Sequence, residues 1–315
     1  MSFTVEHGEY VLVIGSAGID VKGRPAYNPI SGASVPGRIR SSVGGVARNI
    51  AENLARLEIP TLLLSAVGDD ALGQRVLDRC SEAGIDISHV KIVPGASTGH
   101  YMAILTTDGK LGMAVNDYAI TSTINAAYLL EREELFRAAQ MVVIDANLED
   151  RTLAMLFDLA GKYQVPVCAD PTTPSLAARL RPYLNRIMMM TPNLMEAAVL
   201  WGRSSLTYTP ETALSAAQYL LEHGVRIAVV TLGVHGLAYA SGSDRGLIPA
   251  IRTEVVDETG AGDALTAGVI FGLLNEVPLD EALRLGVSAA SLTLRSRETV
   301  VKELSQELLY DQLVI

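Results

Sequence analysis

The sequence has few of the residues that mark several broad classes of protein. Only two of its 315 residues are cysteine, and neither Cys80 nor Cys168 lies in a CxxC or Cys/His pattern, which argues against a disulfide framework and a zinc site. No apolar run reaches the roughly 18 residues needed to cross a bilayer. The N-terminal segment MSFTVEHGEY also lacks the features of a signal peptide. We therefore expect a cytoplasmic protein with two buried thiols.

Basic residues are in deficit, and aromatic residues are scarce. With 25 Lys and Arg against 35 Asp and Glu, the formal net charge is -10, and no basic patch interrupts it. This balance predicts neither nucleic acid nor a membrane surface as a partner. Hydrophobic residues make up 49% of the chain and aromatics only 5%, which favours the aliphatic core of an α/β protein.

Short apolar runs alternate with amphipathic segments along most of the chain. Predicted strands cover 10–14, 61–68, 141–145, 165–170, 186–191, 226–233 and 236–240, and predicted helices cover 46–57, 71–84, 151–163, 193–202, 211–224, 261–274 and 279–294. Such alternation predicts a mostly parallel sheet with helices on both faces. Residues 21–43 and 98–116 do not fit it, and the second stretch has a hairpin signal at Asp108-Gly109. We expect both to form a small β lid on a single domain spanning 1–315.

The stretch DETGAGDAL, residues 257–265, places small residues at the start of a predicted helix. The first N–H groups of a helix are unpaired and attract anions. Gly260, Ala261 and Gly262 would let a phosphate approach this backbone closely. Asp263 would then accept the proton of an attacking hydroxyl. The alternative is an ordinary helix start with an acidic residue in its first turn.

Other segments place polar side chains at strand ends and helix starts. Gly44 and Gly45 precede a helix with Asn49 one turn in, which fits a sugar lying close to the backbone, or else an ordinary turn. Asp20 follows the first strand and can accept bonds from two hydroxyls, or else is a solvated loop carboxylate.

A further pair suits a metal ion or a helix cap. Asn193 and Glu196 share one helical face, where they can hold the waters of Mg²⁺ or form a capping box. Thr231, Gly233 and Gly236 lie at another strand end and are a weaker signal.

Taken together, these segments resemble the ribokinase-like (PfkB) family of carbohydrate and nucleoside kinases. G-G-x3-N at 44–49 and D-x-T-G-A-G-D at 257–263 are similar to the two signatures of that family. N-x-x-E at 193–196 and T-x-G at 231–233 match further family positions, and no Walker A motif is present. The resemblance covers nearly the whole chain. It implies a ribokinase-like three-layer α/β/α fold with a mostly parallel central sheet, and a phosphotransferase that uses ATP and Mg²⁺.

The same resemblance implies a role for each motif residue. Asp263 would be the catalytic base, beside an anion hole formed by the backbone of Gly260, Ala261 and Gly262. The implied substrate ligands are Asp20, Gly44, Gly45 and Asn49. Near the triphosphate, Mg²⁺ would be organised by Asn193 and Glu196, and the residues near ATP would be Thr231, Gly233 and Gly236. A monovalent cation such as K⁺ would be held by Asp257 and Thr259, together with carbonyls in 294–299.

Within the family, the segments VIGSAGIDV, AVNDYAI at 114–120 and TPNLMEA are most similar to those of members that act on pseudouridine. The resemblance implies phosphorylation of its 5′-hydroxyl. Asn116 and Asp117, and Asn147 after the strand at 141–145, are candidates to contact a uracil-like ring, or else polar strand ends.

The sequence is also compatible with two other functions. One is a sugar kinase of the same family, acting on ribose, a ketohexose or a keto-deoxy sugar acid. The other is a catalytically silent binding protein, against which the intact motif at Asp263 argues. Because family members often pair through their lids, we also expect a homodimer through this one.

Overall fold

A computed structural model describes residues 8–28 and 32–314 of the chain. Most of the N-terminal segment considered above, residues 1–7, lies outside the described residues, as do residues 29–31 of the first lid stretch. The strands are β1 (Tyr10–Ile14), β2 (Gly18–Pro25), β3 (Gly37–Gly44), β4 (Thr61–Leu64), β5 (Ala66–Gly68), β6 (Lys91–Val93), β7 (Gly99–Leu105), β8 (Leu111–Asp117), β9 (Ala139–Asp145), β10 (Val167–Asp170), β11 (Met189–Met190), β12 (Ile227–Thr231), β13 (Leu237–Ser241) and β14 (Asp244–Ile248). The helices are α1 (Val46–Arg56), α2 (Ala71–Glu82), α3 (Ala126–Leu130), α4 (Glu133–Ala138), α5 (Asp150–Lys162), α6 (Pro174–Ala177), α7 (Leu194–Trp201), α8 (Pro210–Glu222), α9 (Ala261–Leu274), α10 (Leu279–Leu294) and α11 (Gln306–Asp311).

A central sheet runs in the order β14-β13-β12-β11-β10-β9-β1-β4. Its strands from β12 to β4 pair in parallel, whereas β13 and β14 are antiparallel additions at one edge. The interior strands are continuous apolar runs because both faces of the sheet are covered. The predicted mostly parallel sheet is therefore confirmed.

Helices cover both faces of this sheet. Leu12 and Ile14 of β1 lie in one apolar cluster, which also holds residues of α5, α7 and α8. Val11 and Val13 point the other way into a second cluster, which holds residues of α1, α9 and α10. Since side chains alternate along a strand, these two clusters are the two interfaces of a three-layer α/β/α arrangement, as expected.

A second, small sheet has the order β3-β2-β7-β8. It contains the predicted hairpin and the predicted β segment near 38–43. The stretch before residue 36 is not irregular throughout, however, because Gly18–Pro25 forms β2, an eight-residue strand between β3 and β7. Glycine, proline and charge in GIDVKGRP hid this strand, whose backbone hydrogen bonds come from partners distant in sequence.

Several other elements differ from the sequence-based expectation. The run 61–68 divides at Ser65 into β4 and β5, and β5 pairs with β6 in a separate two-stranded sheet. Short elements such as α3, α4, α11 and β14 had no clear periodic signal. Cys80 and Cys168 are free and buried, as predicted, and burial raises the pKa of Cys80 to about 12. Among the described residues, no helix is both long and apolar enough to cross a bilayer.

Candidate active site

The carboxyl ends of β1 and β9 meet the starts of α1 and α9. Asp145, the last residue of β9, accepts a hydrogen bond from the backbone N–H of Ala47 in α1, at 3.1 Å. Asn49 of α1 in turn contacts Asp263 of α9. Ligands of open α/β sheets bind at this edge, so the main sequence motifs converge where a site is expected.

The start of α9 has the form of an anion cradle. Gly260 adopts a left-handed conformation with φ of 84°, and a Cβ there would lie 2.1 Å from the carbonyl oxygen of Thr299, so only glycine fits. No side chain caps this helix, and a Cβ on Gly262 would meet open space. Among the described residues, the Gly262 N–H has no backbone partner and is free to face a ligand, whereas the Ala261 N–H donates weakly to the Glu258 carbonyl at 3.4 Å.

The start of α1 contrasts with this arrangement. Its first N–H groups, on Val46, Ala47 and Arg48, donate to Ser16 and Asp145. The glycines before α1 serve close packing instead, since a Cβ on Gly44 would lie 2.1 Å from the Asp20 carboxylate and Gly45 has φ of 96°. Of the two glycine-rich helix starts, the one at α9 is available to a phosphate.

Asp263 is buried and is held by one side-chain hydrogen bond. Asn49 Nδ2 donates to Asp263 Oδ2 at 2.6 Å. Burial raises the pKa of Asp263, the bond from Asn49 lowers it, and the charge of Asp20 raises it further. A carboxyl group whose pKa moves toward neutrality is suited to accept a proton.

Arg48 and Glu52 form a buried ionic cluster behind Asn49. Arg48 donates to Asn49 Oδ1, which leaves the amide nitrogen of Asn49 to face Asp263, and it donates to Thr299 Oγ1 at 2.9 Å. Glu52 pairs with Arg48 and, at 2.7 Å each, with Arg56 and Arg79. This cluster was not predicted from the sequence, although opposite charges four residues apart along α1 were a usable signal.

Asp20 is a buried residue of β2, so its interpretation as a solvated loop carboxylate is wrong. Burial raises its pKa to about 6, against the opposing charges of Lys22 and Arg48. Among the described residues, no side chain or backbone group donates a hydrogen bond to the carboxylate. A buried carboxylate without a donor is suited to accept bonds from the hydroxyls of a ligand.

Further acids gather at the same edge of the central sheet. Asp170 ends β10, and its pKa is raised well above the usual value by burial and then by the charges of Asp263 and Glu196. Burial also raises the pKa of Glu196 to about 7. Asp145 and Asp170 were missed in the sequence, where an acid directly after an apolar strand was the available signal.

Asn193 and Glu196 form the capping box that was one of their two interpretations. Asn193 Oδ1 accepts from the Glu196 N–H at 3.0 Å, and Glu196 accepts from the backbone and side-chain nitrogens of Asn193 at 2.9 and 2.8 Å. Asn193 also lies beside Thr231 in an isolated parallel bridge. The cap fixes the position of the Glu196 carboxylate and leaves its role toward a metal ion as a prediction.

The glycines after Thr231 shape a tight turn between β12 and β13. Gly233 and Gly236 have φ of 52° and 87° around a single 3-10 turn. A Cβ on Gly236 would lie 2.0 Å from the carbonyl oxygen of Ile248. The structure thus explains the glycine at 236 by packing, and the expected contact with ATP stays a prediction.

The candidate base-recognition residues do not share one face. Asn116 is opposite Tyr101, which is opposite Asp20, so these three lie on one face of the small sheet. Asp117 lies on the other face and accepts from the Ala119 N–H at 3.1 Å. Asn147 follows β9, and its N–H donates to Asp145 Oδ1 at 3.0 Å. The structure therefore brings Asn116, but not Asp117, to the side of Asp20.

Asp257 and Thr259, which are predicted to hold a monovalent cation, both contact a lysine. The ammonium group of Lys22 in β2 lies 2.7 Å from both Asp257 carboxylate oxygens and 2.5 Å from Thr259 Oγ1. Lys22 is separated from these residues by more than 230 positions, and no local pattern around residue 22 predicts the contact.

Comparison with known proteins shows which family this fold belongs to. Residues 9–305 match the model of the pfkB family carbohydrate kinases, and the chain belongs to that family. It is a phosphotransferase that acts on an alcohol group.

One relative is a known kinase, and two solved structures share the fold. The chain is 36% identical to the pseudouridine kinase of Escherichia coli K12, over 94% of each protein. A structure of Arabidopsis thaliana ribokinase with ribose and ATP superposes with a TM-score of 0.81 at 24% identity, covering 98% of this chain and 100% of the other. A structure of a putative ribokinase II of E. coli with ATP and Mg²⁺ superposes with a TM-score of 0.82 at 19% identity, covering 97% of this chain and 99% of the other.

Proposed function

We propose that this kinase transfers the γ-phosphoryl group of ATP to the 5′-hydroxyl of pseudouridine, with Asp263 as general base. The observation that carries the chemistry is the buried Asp263 carboxylate, oriented by Asn49 at 2.6 Å, in the first turn of a helix that no side chain caps. The substrate assignment is supported by the 36% identity to a pseudouridine kinase over nearly the whole chain.

The residues of the site divide the work of the transfer. Asp263 takes the proton of the 5′-hydroxyl as its oxygen attacks the γ-phosphorus, while the bond to the oxygen of the leaving ADP breaks. The N–H groups of Ala261 and Gly262 stabilise the charge on the transferred group. Asp20 and Asn49 hold the ribose, and Asn116, on the same face of the small sheet as Asp20, contacts the base.

The site also fits ATP and Mg²⁺, which solved structures of the same fold contain. The pKa of Asp170 is raised partly by the negative charges of Asp263 and Glu196, a repulsion that a divalent cation would relieve. We assign Glu196, fixed by Asn193, to the waters of the ion, and Thr231 and Gly233 to the nucleotide. The ion would neutralise charge on the phosphates during transfer.

A substrate panel tests the assignment. ADP release would be measured with Mg²⁺ and ATP against pseudouridine, uridine, adenosine, ribose, fructose and 2-keto-3-deoxygluconate at equal concentration. We expect the highest kcat/KM for pseudouridine, with uridine as the matched isomer that differs in its glycosidic bond. A preference for a free sugar would show that the proposed substrate is wrong, and it would leave the proposed chemistry at Asp263 unchanged. If none of the compounds causes ADP release, the proposal that this protein phosphorylates pseudouridine is wrong.

We also infer that the small sheet acts as a lid over the site and that two chains form a homodimer by pairing their small sheets. Met102, Ile104, Met113 and Val115 project from one face of β7 and β8, and each is 40% exposed or more. An apolar face of this kind is typical of a surface that pairs with another chain. Light scattering on the purified protein should give twice the chain mass, and Met113→Glu should shift it toward the mass of one chain.

A further inference from the structure

Lys22 links the small sheet to the loop that precedes the anion cradle. Its ammonium group contacts the Asp257 carboxylate at 2.7 Å and Thr259 Oγ1 at 2.5 Å. Thr259 is directly followed by Gly260, the N-cap residue of α9. The lysine therefore holds the two residues that lead into the backbone proposed to bind the transferred phosphoryl group.

The contact is well shielded from water on the lysine side. The side chain of Lys22 is 14% exposed and that of Asp257 is 26% exposed. Within residues 8–28 and 32–314, Lys22 is the one cation within 4 Å of the Asp257 carboxylate. A partly buried, charge-assisted contact of this kind is stronger than an ion pair on an exposed surface.

The loop depends on few other interactions. The Thr259 N–H donates to Asp257 Oδ1 at 2.9 Å, and the Val256 N–H donates to the carbonyl of Leu294 at 2.8 Å. Lys22 is the residue whose side chain joins this loop to the small sheet. Because Lys22 and Asp20 are two residues apart in β2, the same face of one strand carries both this ammonium group and the carboxylate proposed to hold the substrate.

An ammonium group held by oxygens of two side chains is chemically close to a bound monovalent cation. It carries one positive charge, and it uses the oxygens that were expected to hold K⁺. A free cation cannot share the same oxygens at hydrogen-bond distance without strong repulsion from the ammonium group.

We propose that Lys22 is a positioning residue that takes the place of a monovalent cation at Asp257 and Thr259, so that this enzyme does not need K⁺ to order the anion cradle. The inference rests on the proposed phosphoryl transfer at Asp263, and it does not depend on which alcohol is the substrate.

The first test compares rates in KCl, NH₄Cl and tetramethylammonium chloride at constant ionic strength, with the best substrate of the panel. We expect the kcat of the wild-type enzyme to agree within about twofold in all three salts. Lys22→Ala should lower kcat by about tenfold to a hundredfold in tetramethylammonium, because misplaced groups at a reacting centre cost rate on this scale. K⁺ or NH₄⁺ should restore at least about a tenth of the wild-type rate, since the truncated side chain leaves room for a small cation.

Lys110→Ala is the matched control, because Lys110 belongs to the adjoining hairpin and its side chain is 82% exposed. This variant should behave as the wild type in every salt. Lys22→Met, which keeps most of the side-chain volume, covers the case in which the alanine variant does not fold. It should lose rate as Lys22→Ala does, but K⁺ should not rescue it, because its side chain fills the space.

Thermal unfolding without substrates gives a second readout. K⁺ should raise the Tm of Lys22→Ala relative to tetramethylammonium at equal ionic strength, and it should leave the Tm of the wild type unchanged. Strong dependence of the wild-type rate on K⁺ would overturn the proposal, as would a loss in Lys22→Ala that no cation reverses. Should the wild type prove inactive on the whole panel, the proposed function fails, and the Tm comparison still decides whether Lys22 replaces a cation.

Discussion

Asn49 Nδ2 and Asp263 Oδ2 lie 2.6 Å apart, although the two residues are 214 positions apart in sequence. The bond joins the first turns of α1 and α9, which carry the two sequence signatures of the family. Arg48 accounts for its direction, because it occupies the oxygen of the Asn49 amide and leaves the nitrogen toward Asp263. The proton acceptor of the proposed reaction is thus oriented by a side chain from the other motif.

Replacing the proposed base should abolish turnover with little effect on binding. We expect Asp263→Asn to lower kcat by about 10³-fold or more, since an amide cannot accept the hydroxyl proton and general-base catalysis is worth about 10² to 10⁴. Calorimetric affinity for the nucleoside should stay within about threefold. Asp280→Asn, an exposed acid paired with Arg284 on α10, is the control and should keep normal activity. Near-normal turnover of Asp263→Asn would show that another group takes the proton.

The buried charge of Asp20 should make stability depend on pH in a defined direction. Its pKa is about 6 in the folded protein against an ordinary value of 3.8, so the folded state binds this proton more tightly. The resulting stabilisation is complete below pH ~4 and is lost as the pH rises through ~6. Asp20→Asn has no titrating group at this position and therefore does not lose this stabilisation. The difference in unfolding free energy between Asp20→Asn and the wild type should therefore shift in favour of the variant by up to about 3 kcal/mol as the pH rises from ~4 to above ~6.

Urea unfolding of wild type and Asp20→Asn at several pH values measures this difference. The same variant should raise the KM for substrate by about tenfold or more, because an amide oxygen accepts hydroxyl bonds less strongly than a carboxylate. A difference in unfolding free energy that does not change between acid and neutral pH would contradict the raised pKa.

Glu196 should affect the metal ion rather than the nucleoside. We expect Glu196→Gln to raise the Mg²⁺ concentration for half-maximal activity by about threefold to tenfold, because a neutral amide holds the waters of the ion less strongly. The KM for pseudouridine should not change. Glu211→Gln is the control, since Glu211 also lies in the first turn of a helix, α8, and is exposed. Equal Mg²⁺ titrations for all three proteins would assign Glu196 to the helix cap alone.

The two neighbours Asn116 and Asp117 should respond differently to mutation. Asn116 lies on the face of the small sheet that carries Asp20, and Asp117 lies on the opposite face. Asn116→Ala should raise the KM for pseudouridine by about tenfold and change the KM for ribose little, because losing a hydrogen bond to the base affects only substrates that carry one. Asp117→Ala should stay within about twofold for both, and the reverse pattern would place the base on the other face.

The motifs and the main layers could be predicted because their signals are local. The glycines at 44, 45, 260 and 262 are each followed by apolar residues at helical spacing, a local pattern that predicts the start of a helix. Continuous apolar runs likewise predict strands that are buried on both faces. The capping box of Asn193 and Glu196 was also readable, since its two members are three residues apart.

The features that could not be predicted from the sequence depend on contacts between distant parts of the chain. GIDVKGRP has no strand pattern of its own, and it becomes β2 because β3 and β7 supply hydrogen bonds on both sides. The partners of Lys22 lie at the other end of the sequence, so no window around residue 22 contains them. The burial that raises the pKa of Asp20 likewise exists only in the folded protein.

The Asp145 carboxylate also constrains the order in which the chain can complete its structure during synthesis. It supplies the acceptor for the Ala47 N–H, 98 positions earlier, and it accepts from the backbone N–H of Ser16 at 2.8 Å. A nascent chain that has not yet reached residue 145 therefore lacks a partner for both groups. The first glycine-rich motif leaves the ribosome early, yet its final geometry must wait for β9 to emerge and pair with β1.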